Sequence, residues 1–252
     1  MPGGFWLLGD STPMNQVSRW NGVQWEPMDA GGSGGNVLSF SIYKDTLYAG
    51  GAFYLMSGVH NTKKLAKWDG NNWHQVAQMG TTAWDGTVVR LDVLDNNLYV
   101  MGLFENINGI AASKIAAYDG NQWLTFPPLD TATGGWAIYT TTIYNGEVYV
   151  GGNFDSQIAP NMKDIAKWNG QAWVPVSNGL SGFVSWVSRL IVYNNELYAA
   201  GYFDQSMGDP GNNIMKLSNT VWVPVGLGVN SAIYDMCILN GELYVGGTFT
   251  EA

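Results

Sequence analysis

The sequence has 252 residues, of which 46% are hydrophobic and only 12% are charged. Its 12 Trp, 13 Tyr and 9 Phe exclude a disordered chain, which lacks the large apolar groups that offset conformational entropy. The net charge of -9 disfavours nucleic acid and anionic membrane surfaces as partners, because both are bound through clustered cations. No apolar run reaches about 18 residues, so no membrane insertion is predicted. The single cysteine, Cys237, excludes an internal disulfide and a cysteine-rich zinc site.

The predicted elements repeat with a period of about 50 residues, in the range typical of propeller blades. One run ends in phenylalanine and occurs as LYAGGAF (47–53), LYVMGLF (98–104), VYVGGNF (148–154), LYAAGYF (197–203) and LYVGGTF (243–249). A second run ends in tryptophan and occurs as VSRWNGVQW (17–25), LAKWDGNNW (65–73), IAAYDGNQW (115–123), IAKWNGQAW (165–173) and IMKLSNTVW (214–222). The alternation of the two runs indicates a repeat architecture.

Each repeat predicts four antiparallel strands. An apolar run forms the first strand, and a two-residue turn leads into the second, which carries the LY motif. That turn is Asn145-Gly146 or Asn240-Gly241 in the clearest copies, a pair that favours a type I′ hairpin. The second run supplies the third and fourth strands around another tight turn. No apolar pattern with a period of about 3.6 residues is sustained, so no helix longer than a turn or two is predicted.

Proline marks the fourth strand as a sheet edge. Pro27, Pro175 and Pro224 each follow the tryptophan of that strand by two positions. Proline cannot donate a hydrogen bond to a neighbouring strand and is confined to edges and bulges. The fourth strand is therefore predicted to be the outer edge of its blade.

The two ends of the chain predict a shared blade. Gly3-Gly4-Phe5 aligns with Gly51-Ala52-Phe53, so the sequence begins at the end of one second strand and stops at the end of another. We therefore predict one all-β domain, residues 1–252, forming a five-bladed β-propeller of four-stranded antiparallel blades. The closing blade comprises residues 1–30 plus 231–252, and the other blades are about 37–80, 87–130, 136–178 and 184–226. The alternative is a five-repeat piece of a longer array.

The pattern LYVGGxF followed by IAKWDGxxW resembles the kelch-type propeller repeat. It is more similar still to the WDG-type repeats of large bacterial surface and secreted proteins, often those with C-terminal sorting domains, and to those of fungal cell-polarity surface proteins. The resemblance covers residues 3 to 250. Met101 and Ala200 replace the first glycine of the pair in two repeats, and Leu217-Ser218-Asn219 replaces Trp-Asp-Gly in one. The resemblance implies a monomeric binding or scaffold domain of a larger, extracellular or cell-surface protein.

Two groups of aromatic residues have different interpretations. The tryptophans at fixed repeat positions, such as Trp73 and Trp173, are predicted to be core, because large aromatic rings pack well on a pleated face. Trp84, Trp136 and Trp186 fall outside the repeat rhythm, in predicted loops that enter first strands. Loops on one face of a scaffold are where binding residues concentrate, so these three are ligand-binding candidates. The alternative is that each ring covers the end of a blade.

The predicted inner strands carry a second cluster of candidates. Arg90, Asp92, Arg189 and Asp235 lie on strands that would otherwise be buried, where charged groups are uncommon unless they are paired. Near the mouth of a propeller channel they would bind a ligand that presents hydroxyls or carboxylates. The alternative is a structural ion pair between Arg189 and Asp235.

The sequence supplies little for catalysis. His60 and His74 are its two histidines, and no nucleophile-elbow, zinc-protease or phosphate-loop motif is present. The acids that follow the repeat phenylalanine, Glu105, Asp155 and Asp204, are predicted to be solvated loop residues rather than a cation site. We therefore expect no catalytic residue, no metal and no cofactor.

The expected function is non-catalytic recognition of a protein or a glycan. The alternative is a carbohydrate-active hydrolase at the central channel, which would need two facing carboxyls, one with a raised pKa. Residues 1–15 lack a basic start and a long apolar segment, so no signal peptide is predicted in this sequence. The extracellular location is implied by the resemblance.

Overall fold

A computed structural model describes residues 17–28, 35–54, 62–79, 86–129, 137–155, 161–180 and 185–252. These residues form an all-β protein whose contacts divide the chain into two compact units, 1–126 and 127–252. The only helical segment within the described residues is one 3-10 turn, Gln205–Met207.

The first unit contains two four-stranded antiparallel sheets and two short hairpins. The hairpins are β1 (Ser18–Trp20) with β2 (Trp25–Pro27), and β9 (Asn106–Ile107) with β10 (Ile110–Ala111). One sheet has the order β3 (Val37–Tyr43), β4 (Thr46–Gly51), β5 (Leu65–Trp68), β6 (Trp73–Gln75). The other has the order β7 (Thr87–Leu94), β8 (Asn97–Leu103), β11 (Ile115–Tyr118), β12 (Trp123–Thr125).

The second unit repeats this construction. One sheet has the order β13 (Ala137–Tyr144), β14 (Glu147–Asp155), β15 (Lys163–Trp168), β16 (Trp173–Pro175). The next has the order β17 (Trp186–Tyr193), β18 (Glu196–Tyr202), β19 (Ile214–Ser218), β20 (Val221–Pro224). A two-stranded sheet, β21 (Ile233–Leu239) with β22 (Glu242–Gly247), follows.

The strand order confirms the prediction for the fourth strand. It lies at the edge of every four-stranded sheet, and Pro175 and Pro224 end two of these edges. The predicted hairpin turns are confirmed as well. Both central residues have positive φ in each copy, for example 53° at Asn145 and 77° at Gly146, as a type I′ turn requires.

A β-bulge in every first strand explains the glycine pair of the repeat. The register shift at the bulge accompanies a close approach of the second glycine to a carbonyl oxygen at the beginning of the first strand or directly before it. A Cβ atom at Gly201 would lie 2.0 Å from the Trp186 oxygen, and the second glycines of the other four repeats meet the same obstacle. The first glycine of the pair meets no such carbonyl, which is why Met101 and Ala200 are accepted there.

The repeated tryptophan of the fourth strand is core in three sheets. Trp73, Trp173 and Trp222 are buried, and each indole Nε1 donates to a backbone carbonyl about one repeat earlier in the chain. The core prediction is therefore confirmed at these positions. It is wrong for Trp25 of β2, whose side chain is 48% exposed.

Candidate functional site

Trp186 is the predicted aromatic candidate that the structure describes, since Trp84 and Trp136 lie outside the described residues. It was expected in a loop, and that expectation is wrong, because Trp186 is the first residue of β17. It pairs across the sheet with Tyr202, and the two rings stack with centroids 4.7 Å apart and planes 20° apart. One face of the Trp186 ring is therefore already covered by the Tyr202 ring.

The four charged candidates form two ion pairs. Arg90 Nε lies 3.1 Å from Asp92 Oδ1, both on β7. Arg189 Nε of β17 lies 3.2 Å from Asp235 Oδ1 of β21, which is the structural ion pair expected from the sequence. Each arginine is mostly buried and meets a carboxylate. Whether these residues also bind a ligand stays a prediction.

The strand position that Arg90 and Arg189 occupy has a structural role in two other sheets. Ser39 and Thr140 stand at the bulges of their first strands. The Ser39 hydroxyl accepts a hydrogen bond from Leu91 N at 3.1 Å, and the Thr140 hydroxyl accepts one from Leu190 N at 3.0 Å. A bulge re-aims a side chain, and here it turns a hydroxyl toward the next sheet. The position thus links neighbouring sheets within each unit.

A polar cleft of about 500 Å³ lies in the second unit and was not foreseen from the sequence. Three segments line it: the loop after β18, the loop after β20 and the end of the chain. The lining residues are Asp204, Gln205, Ser206, Asn212, Asn213, Leu227, Gly228, Val229, Asn230, Glu251 and Ala252. Its size falls within the range of small-molecule sites, about 300 to 1,000 Å³.

Asparagine side chains fix the walls of the cleft. Asn212 accepts from Gln205 N at 3.1 Å and donates to Leu227 O at 3.0 Å, which joins two of the loops. Asn230 accepts from Thr250 N at 2.8 Å and from Glu251 N at 3.2 Å, which holds the third segment. These amides are used by backbone groups, so they build the site and leave ligand contacts to other side chains.

Asp204 caps the 3-10 turn and is among the residues that line the cleft. Its Oδ1 accepts from Ser206 N at 2.5 Å, the hydrogen bond of an N-cap residue. Glu251 is a second acidic residue of the lining. The sequence contained one signal for this site, since Asp204 was recognised as an acid at a fixed repeat position. The prediction of a solvated loop residue does not reveal the cleft, because the repeat period does not show which loops meet.

Asp164 is a buried acid outside the cleft lining. Its side chain is 1% exposed; Oδ1 accepts from Phe154 N at 2.9 Å and Oδ2 accepts from Ser185 Oγ at 2.5 Å. Burial raises the pKa of Asp164 to about 7, and the two hydrogen bonds oppose that shift. This acid is therefore enclosed by protein and cannot contact a ligand in the cleft.

The described residues contain no group of three or more His, Cys, Asp or Glu side chains placed to hold a metal ion. Among them there is also no helix with the length and hydrophobicity that crossing a membrane requires.

No family model matches the chain, and no curated protein matches it. A solved structure of similar fold is the extracellular domain of a putative hybrid two-component system from B. thetaiotaomicron. The two chains are 16% identical with a TM-score of 0.56, and the match covers 90% of this chain and 31% of that one. The chain thus spans less than a third of that neighbour's length. At this identity the likeness concerns the fold alone.

Proposed function

We propose that the chain is a non-catalytic ligand-binding domain of a secreted or cell-surface protein, recognising a glycan or a protein. The observation that carries the proposal is the polar cleft, a concave site whose walls are fixed by Asn212 and Asn230 before any ligand arrives. A preformed site loses less conformational entropy on binding. The similar extracellular domain from B. thetaiotaomicron and the resemblance of the repeats to those of surface proteins support the location.

The arrangement of carboxyls favours binding over catalysis. A hydrolase of glycosides needs an acid with a raised pKa beside the scissile bond. Asp164 has the raised pKa, but it is buried and absent from the cleft lining. The hydrolase keeps one observation in its favour, because Asp204 and Glu251 line the same cleft. Turnover of aryl glycosides by the protein, lost in Asp204→Asn, would establish it.

The proposal is tested with a glycan array and with a pull-down from the native cell surface. We expect a partner whose binding is weakened by Asp204→Asn combined with Leu227→Ser. The second variant, Trp84/Trp136/Trp186→Ala, tests the site predicted from the sequence. Loss of binding only in the second variant would move the site to those tryptophans. Failure of both assays to find any partner would contradict a binding function.

We also propose that five blades close into a ring, with residues 1–30 and 231–252 sharing one blade. The two short sheets together supply the four strands of one repeat. The strands β1 and β2 correspond to its third and fourth strands, and β21 and β22 correspond to its first and second. Tyr244 is 47% exposed, whereas the equivalent Tyr198 of a four-stranded sheet is buried. Closure would cover such residues and remove free edges. Deletion of residues 241–252 should then lower the melting temperature and cause association, and an unchanged monomer would exclude closure.

A further inference from the structure

The charges of the cleft restrict the ligand. Asp204 and Glu251 line it, and the described lining residues include no lysine, arginine or histidine. The whole chain carries a net charge of -9, which adds to the local negative potential. A ligand bearing carboxylate, sulfate or phosphate groups would therefore be repelled. The cleft selects for neutral or cationic groups.

The polar groups of the lining accept hydrogen bonds more readily than they donate them. Ionised carboxylates such as Asp204 and Glu251 are acceptors only. The Gln205 amide donates within its own loop, to Pro210 O at 3.4 Å, and the Ser206 hydroxyl adds a group of either kind. Hydrogen bonds to ionised acceptors are the stronger ones. The ligand should therefore present several O–H donors at once.

An apolar residue completes the lining. The Leu227 side chain is 89% exposed although its carbonyl oxygen is held by Asn212. A large apolar side chain held out toward solvent at the wall of a polar cleft offers a surface for the apolar part of a ligand. An ammonium group would satisfy the carboxylates but would gain nothing from this leucine.

We infer that the cleft binds a neutral, hydroxyl-rich ligand of the kind presented by an uncharged sugar unit of a glycan. Hydroxyls on one edge of the sugar donate to Asp204 and Glu251, and the C–H face of the ring packs on Leu227. This inference rests on the proposed function and names the ligand class for it.

The test uses the full chain with an array of neutral glycans, and with glucuronic acid and a tri-lysine peptide as charged probes, followed by calorimetric titration of any hit. Asp204→Asn keeps the N-cap because asparagine caps as well as aspartate. Glu251→Gln and Leu227→Ser remove the other two contacts. Asp155→Asn is the matched control, the same change at the same repeat position one blade earlier. Thermal melting confirms that each variant is folded.

We expect a neutral glycan to bind, with affinity reduced about tenfold in Asp204→Asn and in Glu251→Gln and unchanged in Asp155→Asn. Binding of tri-lysine alone, weakened by Asp204→Asn, would overturn the sugar assignment and leave the cleft as a binding site. Binding of glucuronic acid in preference to neutral sugars would overturn the charge argument. A neutral glycan whose affinity no cleft variant changes would place the sugar elsewhere, and the absence of any neutral glycan among the ligands would also overturn the inference.

Discussion

The sheet β13–β16 and the sheet β17–β20 follow one another in the chain and share one framework. Trp173 Nε1 donates to Pro127 O at 3.0 Å, and Trp222 Nε1 donates to Val176 O at 3.2 Å, in each case across 46 residues. A polar residue with positive φ stands at the start of each third strand. It is Asp164, the second residue of β15, with φ of 61°, and Asn213, directly before β19, with φ of 62°. Each of these residues accepts a hydrogen bond from the N–H of the repeat phenylalanine.

The two sheets differ in the second atom of that polar side chain. In Asp164 it is an acceptor, and Ser185 Oγ donates to it. In Asn213 it is a donor, and Nδ2 donates to Val229 O at 2.8 Å. Val229 lines the cleft, so Asn213 connects the strand framework to the site. In these two sheets an acceptor therefore faces the phenylalanine N–H, whereas the other atom of the side chain matches the local loop.

The largest expected effect concerns the shared part of the framework. Trp173→Ala should lower the free energy of unfolding by roughly 3 to 5 kcal/mol, because it empties a buried aromatic site. Trp222→Ala should cost a similar amount, as its environment is equivalent. Leu124→Ala is the control, since this fourth-strand side chain is 48% exposed. Urea unfolding followed by tryptophan fluorescence measures all three, and a loss below about 1 kcal/mol for Trp173→Ala would remove the repeated tryptophans from the core.

The next effect distinguishes Asp164 from Asn213 by the pH dependence of stability. The pKa of Asp164 is about 7 in the folded protein and close to 3.9 in an unfolded chain. The folded state therefore retains the proton over a range in which the unfolded state loses it. Stability from this group is complete below about pH 4 and is lost as the pH rises to about 7. Between pH 5 and pH 8 the free energy of unfolding, measured by thermal melting, should decrease by about 2 to 4 kcal/mol.

Asp164→Asn should remove that decrease and leave a protein more stable than the parent at pH 8. Asn213 shows that the same backbone position accepts an amide, and the new Nδ2 can donate to Ser185 Oγ. Asp45→Asn, in an exposed hairpin turn, controls for the general loss of negative charge. Identical pH profiles for Asp164→Asn and the parent would show that Asp164 does not titrate with a raised pKa.

The reverse exchange should be unfavourable. Asn213→Asp replaces the donor to Val229 O by an oxygen, which leaves a carbonyl without its hydrogen bond and buries a charge. We expect a loss of about 2 to 3 kcal/mol at pH 8 and less at pH 5, where the carboxylic acid can donate in place of the amide. Asn145→Asp in an exposed hairpin turn is the control and should change stability by less than about 0.5 kcal/mol. Equal effects of the two substitutions would contradict the distinct role of Asn213.

Repetition made the framework predictable. The hairpin turns, the edge position of Pro175 and Pro224 and the burial of Trp173 each follow from a residue type that recurs at one position. The hairpin β9–β10 was missed because it occurs in one repeat and has no periodic signal. The need for the second glycine could not be derived either, because its cause is the approach of a carbonyl at a bulge, as at Gly201. A sequence pattern shows the glycine but not the neighbour.

The site was less predictable for a physical reason. The cleft depends on Asn212, Asn213 and Asn230, whose amides bond backbone groups of loops that have no common period. Asparagine in a loop has many possible roles, so its presence in the sequence does not predict a binding site. The charged residues of the inner strands were found from the sequence, because unpaired charge on a buried strand is unusual. Their pairing as Arg189–Asp235 was predicted only as one of two alternatives.

The smallest expected effect tests that pair. Thr140 connects its sheet to β17 by accepting a hydrogen bond from Leu190 N, whereas Arg189 at the equivalent position of β17 connects to β21 through Asp235. The Asp235 side chain is 65% exposed, so solvent and salt screen the attraction. Asp235→Asn keeps the acceptor for Met236 N and should cost less than about 1 kcal/mol. Thr140→Val removes the acceptor of a buried N–H and should cost about 1 to 2 kcal/mol. The opposite result is that Asp235→Asn lowers the free energy of unfolding more than Thr140→Val does, at high salt as well as at low salt. That result would show that the ion pair and not the hydroxyl is the stronger link between sheets.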